Sequence, residues 1–286
     1  VFKTIDGGTN WTNVQAGNFS QGAIRLKPND SNIVYVSSSE GIFKSTNAGD
    51  TFLQTTNGLP IGFDRCLIDV TPANPNFVYA LVYEGGNSIN VYKSTDSGEN
   101  FTNTGSTNDN EISQIWYDMA FAVSPTNADE IYSGTLNIWK STNGGTSFSQ
   151  LNSWSSPSAA NYTHADIHYL KFFGSKLYCG SDGGIYVSDN QGTASARIGQ
   201  FYRIAVSKQT ATKMVGGLQD NGGFGYSNNI WKNFYGADGM DTAIDPNNSN
   251  LYYGFIQSGS SLYISSDAAN NSGSSVPSPA GSSGNW

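Results

Sequence analysis

The stretch Tyr92-Lys93-Ser94-Thr95-Asp96-Ser97-Gly98-Glu99-Asn100-Phe101 recurs along the chain with few changes. It reads Phe2-Lys3-Thr4-Ile5-Asp6-Gly7-Gly8-Thr9-Asn10-Trp11 near the start, then Phe43-Lys44-Ser45-Thr46-Asn47-Ala48-Gly49-Asp50-Thr51-Phe52, and later Trp139-Lys140-Ser141-Thr142-Asn143-Gly144-Gly145-Thr146-Ser147-Phe148. A fifth copy at 187–193 lacks the closing aromatic, and remnants stand at 226–229 and 264–267. The key positions are Asp6, Asn47, Asp96, Asn143, Asn190, Asn229 and Asp267, spaced 38–49 residues apart. The chemistry of each box is local. The Asp or Asn accepts hydrogen bonds from turn N–H groups. The hydroxyl two residues earlier (Thr4, Ser45, Ser94, Ser141) adds another bond. The Gly two residues later takes a positive φ. The aromatic (Trp11, Phe52, Phe101, Phe148) is expected to lie buried between neighbouring sheets. A calcium loop of the EF type needs more oxygen ligands at regular spacing.

Between boxes lies a second signature: an apolar run, a Pro/Asn turn and another apolar run. Examples are 23–27 with 33–36, 120–123 with 131–132, and 243–244 with 251–253. Each repeat therefore holds four short strands, A and B around the Pro/Asn turn and C and D around the box. Four antiparallel strands per 38–49 residues is the arithmetic of a β-propeller blade. The expected fold is all-β: a β-propeller of four-stranded blades with Asp-box hairpins, about six to seven in this chain, forming part of a larger ring. Residues 1–14 supply only C and D strands, and Trp286 reads as the close of a box begun at Ser265 and interrupted by a Ser/Gly/Pro loop at 268–283. On this reading 1–286 is a single segment that starts and ends mid-blade, its ring completed by the remainder of a longer chain or by a partner subunit.

The pattern Ser/Thr-x-Asp/Asn-x-Gly-x-x-Trp/Phe resembles the BNR, or Asp-box, repeat of sialidases, sortilin-type (VPS10) propellers, xyloglucanase-type glycoside hydrolases and a photosystem-assembly propeller. The runs His164-Ala165-Asp166-Ile167-His168, Gly180-Ser181-Asp182-Gly183-Gly184, Gln200-Phe201-Tyr202-Arg203 and Gly217-Leu218-Gln219-Asp220-Asn221-Gly222 look like bacterial sortilin-like or glycosyl-hydrolase-like secreted propellers. The resemblance implies the propeller fold; the box is structural in all these families, so it implies no activity.

Composition narrows the function. Charged residues make up 13%, aromatics 13%, and the net charge is −8. No Lys/Arg cluster exists to track phosphates, which excludes nucleic acid. No apolar run reaches the roughly 18 residues of a membrane span. Low Lys and Glu with abundant Asn, Ser, Thr and Gly point to a secreted or cell-surface protein. Cys66 and Cys179 sit in separate apolar runs and read as two buried thiols.

In a four-stranded blade, the boxes and Pro/Asn turns share one face and the D-to-A and B-to-C loops share the other. Polar residues that follow no turn rule fall on the second face. They are Asp64, Arg65, Trp116, Tyr117, Asp118, His164, Asp166, His168, Tyr202, Arg203, Asp238 and Asp241 in D-to-A loops, and Glu40, Glu84, Asp182, Gln219 and Asp220 in B-to-C loops. Three readings compete. His164, Asp166 and His168 alternate, so one strand face would present all three to a divalent cation such as zinc; no other cofactor is implied. Asp166, Asp182, Asp220 and Asp238 are candidate carboxylates for glycoside hydrolysis. His164, Asp166, His168, Asp182, Gln219, Asp220, Asp238 and Asp241 could instead line a groove for a glycan or peptide, with Trp116, Tyr117, Trp154 and Tyr162 as platforms. Sialidase chemistry needs an arginine cluster, and Arg25, Arg65, Arg197 and Arg203 are scattered. The expected function is an extracellular binding or adhesion module for glycan or peptide, and the alternative is a propeller glycoside hydrolase of xyloglucanase-like or sialidase-like type.

Overall fold

The computed structural model describes residues 1–277 except 20, 87, 108–113, 157–158, 191, 193–195 and 200. A two-residue pair, β1 (Phe2–Lys3) and β2 (Thr12–Asn13), comes first. Four-stranded antiparallel sheets follow, each with its strands in chain order. They comprise β3 (Ile24–Lys27), β4 (Asp30–Ser38), β5 (Gly41–Ser45) and β6 (Leu53–Thr55), then β7 (Arg65–Val70), β8 (Val78–Tyr83), β9 (Ile89–Ser94) and β10 (Thr102–Ser106). Next are β11 (Ala120–Val123), β12 (Ile131–Gly134), β13 (Ile138–Ser141) and β14 (Ser149–Gln150), and β15 (Ile167–Phe173), β16 (Lys176–Ser181), β17 (Gly184–Ser188) and β18 (Ala196–Ile198). The last two sheets are β19 (Phe201–Val206), β20 (Met214–Leu218), β21 (Gly222–Ser227) and β22 (Ile230–Tyr235), and β23 (Gly239–Ile244), β24 (Tyr252–Ile256), β25 (Leu262–Ser265) and β26 (Ser274–Val276). This is the all-β, blade-by-blade architecture expected of a propeller. The chain divides into two compact units, 1–181 with 186–196, and 182–185 with 197–286.

Burial follows blade logic. Middle strands are the best covered, as in β8, where Val78 through Val82 are fully buried, whereas the innermost strands β3 and β19 keep exposed positions. In the first unit one cluster joins Tyr79, Leu81 and Val91 of one sheet to Phe121, Ile131 and Phe148 of the next. Another joins Tyr35 and Ile42 to Ile68, Val78 and Phe101. A third joins Tyr132 and Ile138 to Ile167, Leu170 and Tyr186. The second unit packs Val215, Phe234 and Tyr235 against Tyr252, Ala268 and Ala269. Polar contacts reinforce the stack in the first unit. Lys3 reaches Asp50 at 2.6 Å, Lys44 reaches Glu99 at 2.5 Å and Lys93 reaches Asp129 at 2.7 Å. Buried Asp69 on β7 pairs with Arg25 of β3, accepts the Val123 amide of β11 at 3.0 Å and lies 3.5 Å from Lys171 of β15. One carboxylate thus ties together the innermost strands of four sheets.

The boxes share one bonding scheme. The Ser/Thr hydroxyl donates to the Asp/Asn side chain (Thr4 to Asp6, Ser45 to Asn47, Ser94 to Asp96, Ser141 to Asn143, Ser188 to Asn190, Ser265 to Asp267) at 2.7–2.9 Å. The same hydroxyl accepts the amide four residues on, at Gly8, Gly49, Gly98, Gly145, Gly192 and Ala269. The residue directly after the Asp/Asn also has positive φ, as in Ala48 (57°), Ser97 (62°) and Ala268 (59°). Its amide donates to the Pro/Asn-turn carbonyl of its own sheet: Ala48 to Asn32, Ser97 to Asn76, Gly144 to Asp129 and Ala268 to Asn250. The box therefore clamps the two turns of a blade together.

The partner of the Asp or Asn changes with its identity. Carboxylates Asp6, Asp96 and Asp267 accept from the amides of Asn10, Asn100 and Asn271 at 2.6–2.7 Å. Amides Asn47 and Asn143 instead donate to the hydroxyls of Thr51 and Ser147, both at 2.9 Å. Bonds from Asn10 hold the Asp6 carboxyl at about 2, and bonds from Asn100 do the same for Asp96. Asp267 is lowered chiefly by Asn271.

Four details differ from the sequence reading. Trp11 is 60% exposed, because β1 and β2 form a two-stranded sheet with no inner strands beside them. Phe101 and Phe148 are buried as expected, and Phe52 is half-buried. Asn229 belongs to no box. Asn228 and Asn229, with φ of 52° and 64°, form a two-residue hairpin turn between Ser227 and Ile230. No loop interrupts the last box at 268–276: its turn closes at Asn271, and β26 pairs with β25 as a fourth strand. Trp286, Gln191, Thr193 and Gln200 lie outside the described residues.

Asp96→Asn sets two amides against each other at Asn100 and is expected to lower Tm; adding Asn100→Ser should recover much of the loss. Thermal denaturation of the single and double variants checks the pairing. Phe101→Ala should cost about 3–5 kcal/mol, whereas Trp11→Ala should leave the unfolding midpoint nearly unchanged, as denaturant titration will show. The depressed carboxyls contribute stability above their ordinary value of 3.8 that disappears as pH falls toward about 2.

Candidate functional site

In the first unit the D-to-A loop before β11 and the entry to β15 build one polar cluster. Asp118 is fully buried, and its Oδ1 has no hydrogen-bond partner among the described residues. Its Oδ2 accepts from Gln114 Nε2 at 3.2 Å, and the same nitrogen donates to Asp166 Oδ1. One amide therefore bridges two carboxyls, which sit within two hydrogen-bond lengths, about 6 Å, of each other. Burial pushes the Asp118 carboxyl up to about 6; the Asp166 charge adds to the rise, and Gln114 and His168 oppose it. Arg65 lies near enough for Asp118 to favour its charged form, while burial lowers it, and its guanidinium donates to the Ile115 and Met119 carbonyls.

Aromatic rings flank the pair. Trp116 is 69% and Tyr117 42% exposed, with ring centroids 5.6 Å apart and planes tilted by 48°. The Tyr117 ring meets His168 edge-on at 4.7 Å. Gln21 donates to the Trp116 carbonyl at 2.8 Å and holds the loop from the β2–β3 side. A cavity of about 330 Å³ opens beside them, lined by Gln21, Arg25, Arg65, Met119, His168 and Tyr169 among others. It lies where β3, β7, β11 and β15 begin, on the face opposite the boxes, as strand topology predicts.

The cation reading of His164, Asp166 and His168 is corrected. Strand β15 starts only at Ile167, Asp166 has φ of 61°, and the register shifts between Ile167 and Tyr169. Alternation therefore fails, and the three side chains take different partners. His164 Nδ1 contacts the Ala165 carbonyl at 3.3 Å, Asp166 turns to Gln114, and His168 turns to Tyr117. No group of three metal-ligating side chains is assembled among the described residues. Tyr162 is also no platform, since it is buried against Tyr186; Trp154 remains 43% exposed. Glu40 and Glu84 serve their own loops, accepting from Asn18 and from Asn90 and Tyr92. Cys66 and Cys179 are buried free thiols, raised by burial.

The second unit gathers Asp182, Asp220 and Asp238 around Tyr202, whose hydroxyl is raised by desolvation and then by Asp238, Asp220 and Asp182. Asp238 Oδ1 accepts the Asp220 amide at 2.7 Å, and Gln257 Oε1 accepts the Asp238 amide at 3.1 Å. Asn221 donates to the carbonyls of Gly183 and Gln219. Asp241 is exposed and accepts the Thr242 amide. Asp238 thus joins its loop to that of Asp220, and Asp241 holds the start of its own strand. Sequence reasoning placed Asp118 on this face without assigning it chemistry. Gln114, a neutral residue in no motif, gave no signal.

No family model matches the chain. The chain is 25% identical to a xyloglucanase of Hypocrea jecorina (strain QM6a) over 296 residues, covering 86% of this chain and 35% of that enzyme. Among solved structures, the GH74 enzyme of Niastella koreensis aligns with 98% of this chain and 47% of its own, at a TM-score of 0.64 and 19% identity. The fold is that of a GH74-like β-propeller. The chain spans about a third of the curated xyloglucanase and about half of the solved GH74 chain. No helix among the described residues is long and apolar enough to cross a membrane.

Asp118 is raised above its ordinary 3.8, so the stability that it contributes is present below that value and lost as pH rises through about 6. Asp118→Asn should flatten the decline of Tm between pH 4 and 7, measured by differential scanning calorimetry.

Proposed function

We propose that this chain forms the propeller part of a glycoside hydrolase that acts outside the cell on a β-linked polysaccharide of the xyloglucan kind. The observation that carries this reading is the bridged carboxyl pair beside exposed aromatic rings. Glycosidic cleavage needs one carboxyl that keeps its proton near neutrality and another that stays ionised. Asp118 is held protonated up to about 6 and shares Gln114 with the half-buried Asp166. Because Asp118 is fully buried, Asp166, held by the same Gln114 amide, is the member of the pair placed to touch a substrate. Kinship with the Hypocrea jecorina xyloglucanase supports the substrate class. The box scheme supports placing the chain among the BNR, or Asp-box, propellers, including the secreted sortilin-like ones. The remainder of a longer chain or a partner subunit completes the ring.

A binding or adhesion module is the second reading, favoured by the exposure of Trp116 and Tyr117, since aromatic surface can hold a sugar without cleaving it. Reducing-end assays on xyloglucan and other β-glucans separate the two. Asp166→Asn is expected to lower hydrolysis by roughly 10²–10⁴-fold, the usual contribution of a general acid or base. Unchanged hydrolysis in that variant removes Asp166 from the chemistry, and binding without any hydrolysis leaves the module reading.

A further inference from the structure

We infer that the cavity where β3, β7, β11 and β15 begin binds a small organic carboxylate, held by the guanidinium groups of Arg25 and Arg65. This site is separate from the polysaccharide reading above and needs no hydrolysis. The cavity measures about 330 Å³, near the lower end of the range for small-molecule pockets. Gln21, Arg25, Arg65 and His168 supply its polar wall, and Leu67, Met119, Phe121 and Leu170 supply apolar walls. None of its described lining side chains is a carboxylate. The chain carries a net charge of −8 and only four arginines, yet two of those four meet here.

Neither guanidinium is used up by the protein. Each offers five N–H donors in a planar fork. Arg25 donates from Nε to Asp69 and from Nη1 to the Ile24 carbonyl, which leaves its Nη2 without a partner among the described residues. Arg65 donates from Nη1 to the Ile115 carbonyl and from Nη2 to the Met119 carbonyl, and its buried Nε has no partner among the described residues. Counter-charge is short as well. Asp69 is one carboxylate shared by two cations, Arg25 and Lys171. The acid acting on Arg65 is Asp118, which keeps its proton up to about 6, and burial already disfavours the Arg65 charge. In a mildly acidic medium an anion in the cavity therefore supplies what both arginines lack. A carboxylate matches the guanidinium fork, because its two oxygens accept parallel N–H bonds. The apolar walls favour an organic body over a bare inorganic ion, since they gain by leaving water.

Isothermal titration of the native chain at pH 5.5 tests this with phenylacetate and three relatives. The relatives are 2-phenylethanol (same body, no charge), 2-phenylethylamine (same body, opposite charge) and inorganic phosphate (negative charge, no body). Phenylacetate is expected to saturate one site per chain, and each of the other three to bind at least ten-fold more weakly. Arg25→Lys and Arg65→Lys keep a cation near Asp69 and Asp118 but lose the fork, and each should weaken phenylacetate at least five-fold. A second measurement needs no variant. Phenylacetate should slow the modification of Arg25 by phenylglyoxal several-fold, read by peptide mass spectrometry, and leave the exposed Arg203 unaffected. No saturable binding of phenylacetate, equal binding of the alcohol, the amine or phosphate, or an Arg25 modification rate indifferent to the ligand would each overturn the site. Unchanged affinity in both lysine variants would overturn it too.

Discussion

A single hydroxyl in each box decides how a blade closes. It donates to the Asp or Asn two residues on and accepts an amide four residues on, so one oxygen fixes a turn that contains two consecutive left-handed residues. Left-handed backbone is unfavourable for residues other than glycine, and Ala48, Ser97 and Ala268 adopt it only because the turn is overdetermined by bonds. The amide released by that conformation then reaches the Pro/Asn turn. Box and turn become one rigid end of the blade, and the opposite end is left for longer loops. Division of labour between the two faces therefore begins with a serine or threonine side chain.

This explains why the fold was legible in the sequence and the site much less so. The boxes repeat, and each encodes its conformation within ten residues. Strand positions follow from them, down to the inner and middle strands around the Pro/Asn turns. Asn229 shows the limit of the pattern: an Asn after a Ser looks like a decayed box, but a two-residue turn joins β21 to β22 directly. At the site, Asp166 stood out through the His-Ala-Asp-Ile-His run, but the alternation assumed for that run required a strand that starts only at Ile167. The partner of Asp166 is a glutamine 52 positions earlier in the chain, a relation that no local rule carries.

Carboxylates in this protein are used in two opposite ways. Box aspartates lie at the surface, saturated by amides, and favour ionisation. Asp118 is enclosed with one oxygen unpaired, and favours its proton. Local bonding against burial decides the difference, and a sequence alone shows neither. Asp69 is a third case: fully enclosed, but matched by Arg25, the Val123 amide and Lys171, so that its burial supports the inner strands.

The outer strands carry a separate consequence. A sheet edge offers unpaired backbone groups to any passing strand and can seed edge-to-edge aggregation. Most outer strands here are too short to serve as templates: β2 and β14 have two residues each, β6 and β26 three. Strand β10 is longer but is bulged between Asn103 and Gly105. Strand β22 is the exception, with six residues and exposed Ile230 and Trp231. It is guarded by Lys232 and by a register shift on its pairing with β21. Replacing that lysine with an apolar residue would extend the exposed Ile230–Trp231 surface along the longest outer strand among the described residues, leaving its edge open to a second chain.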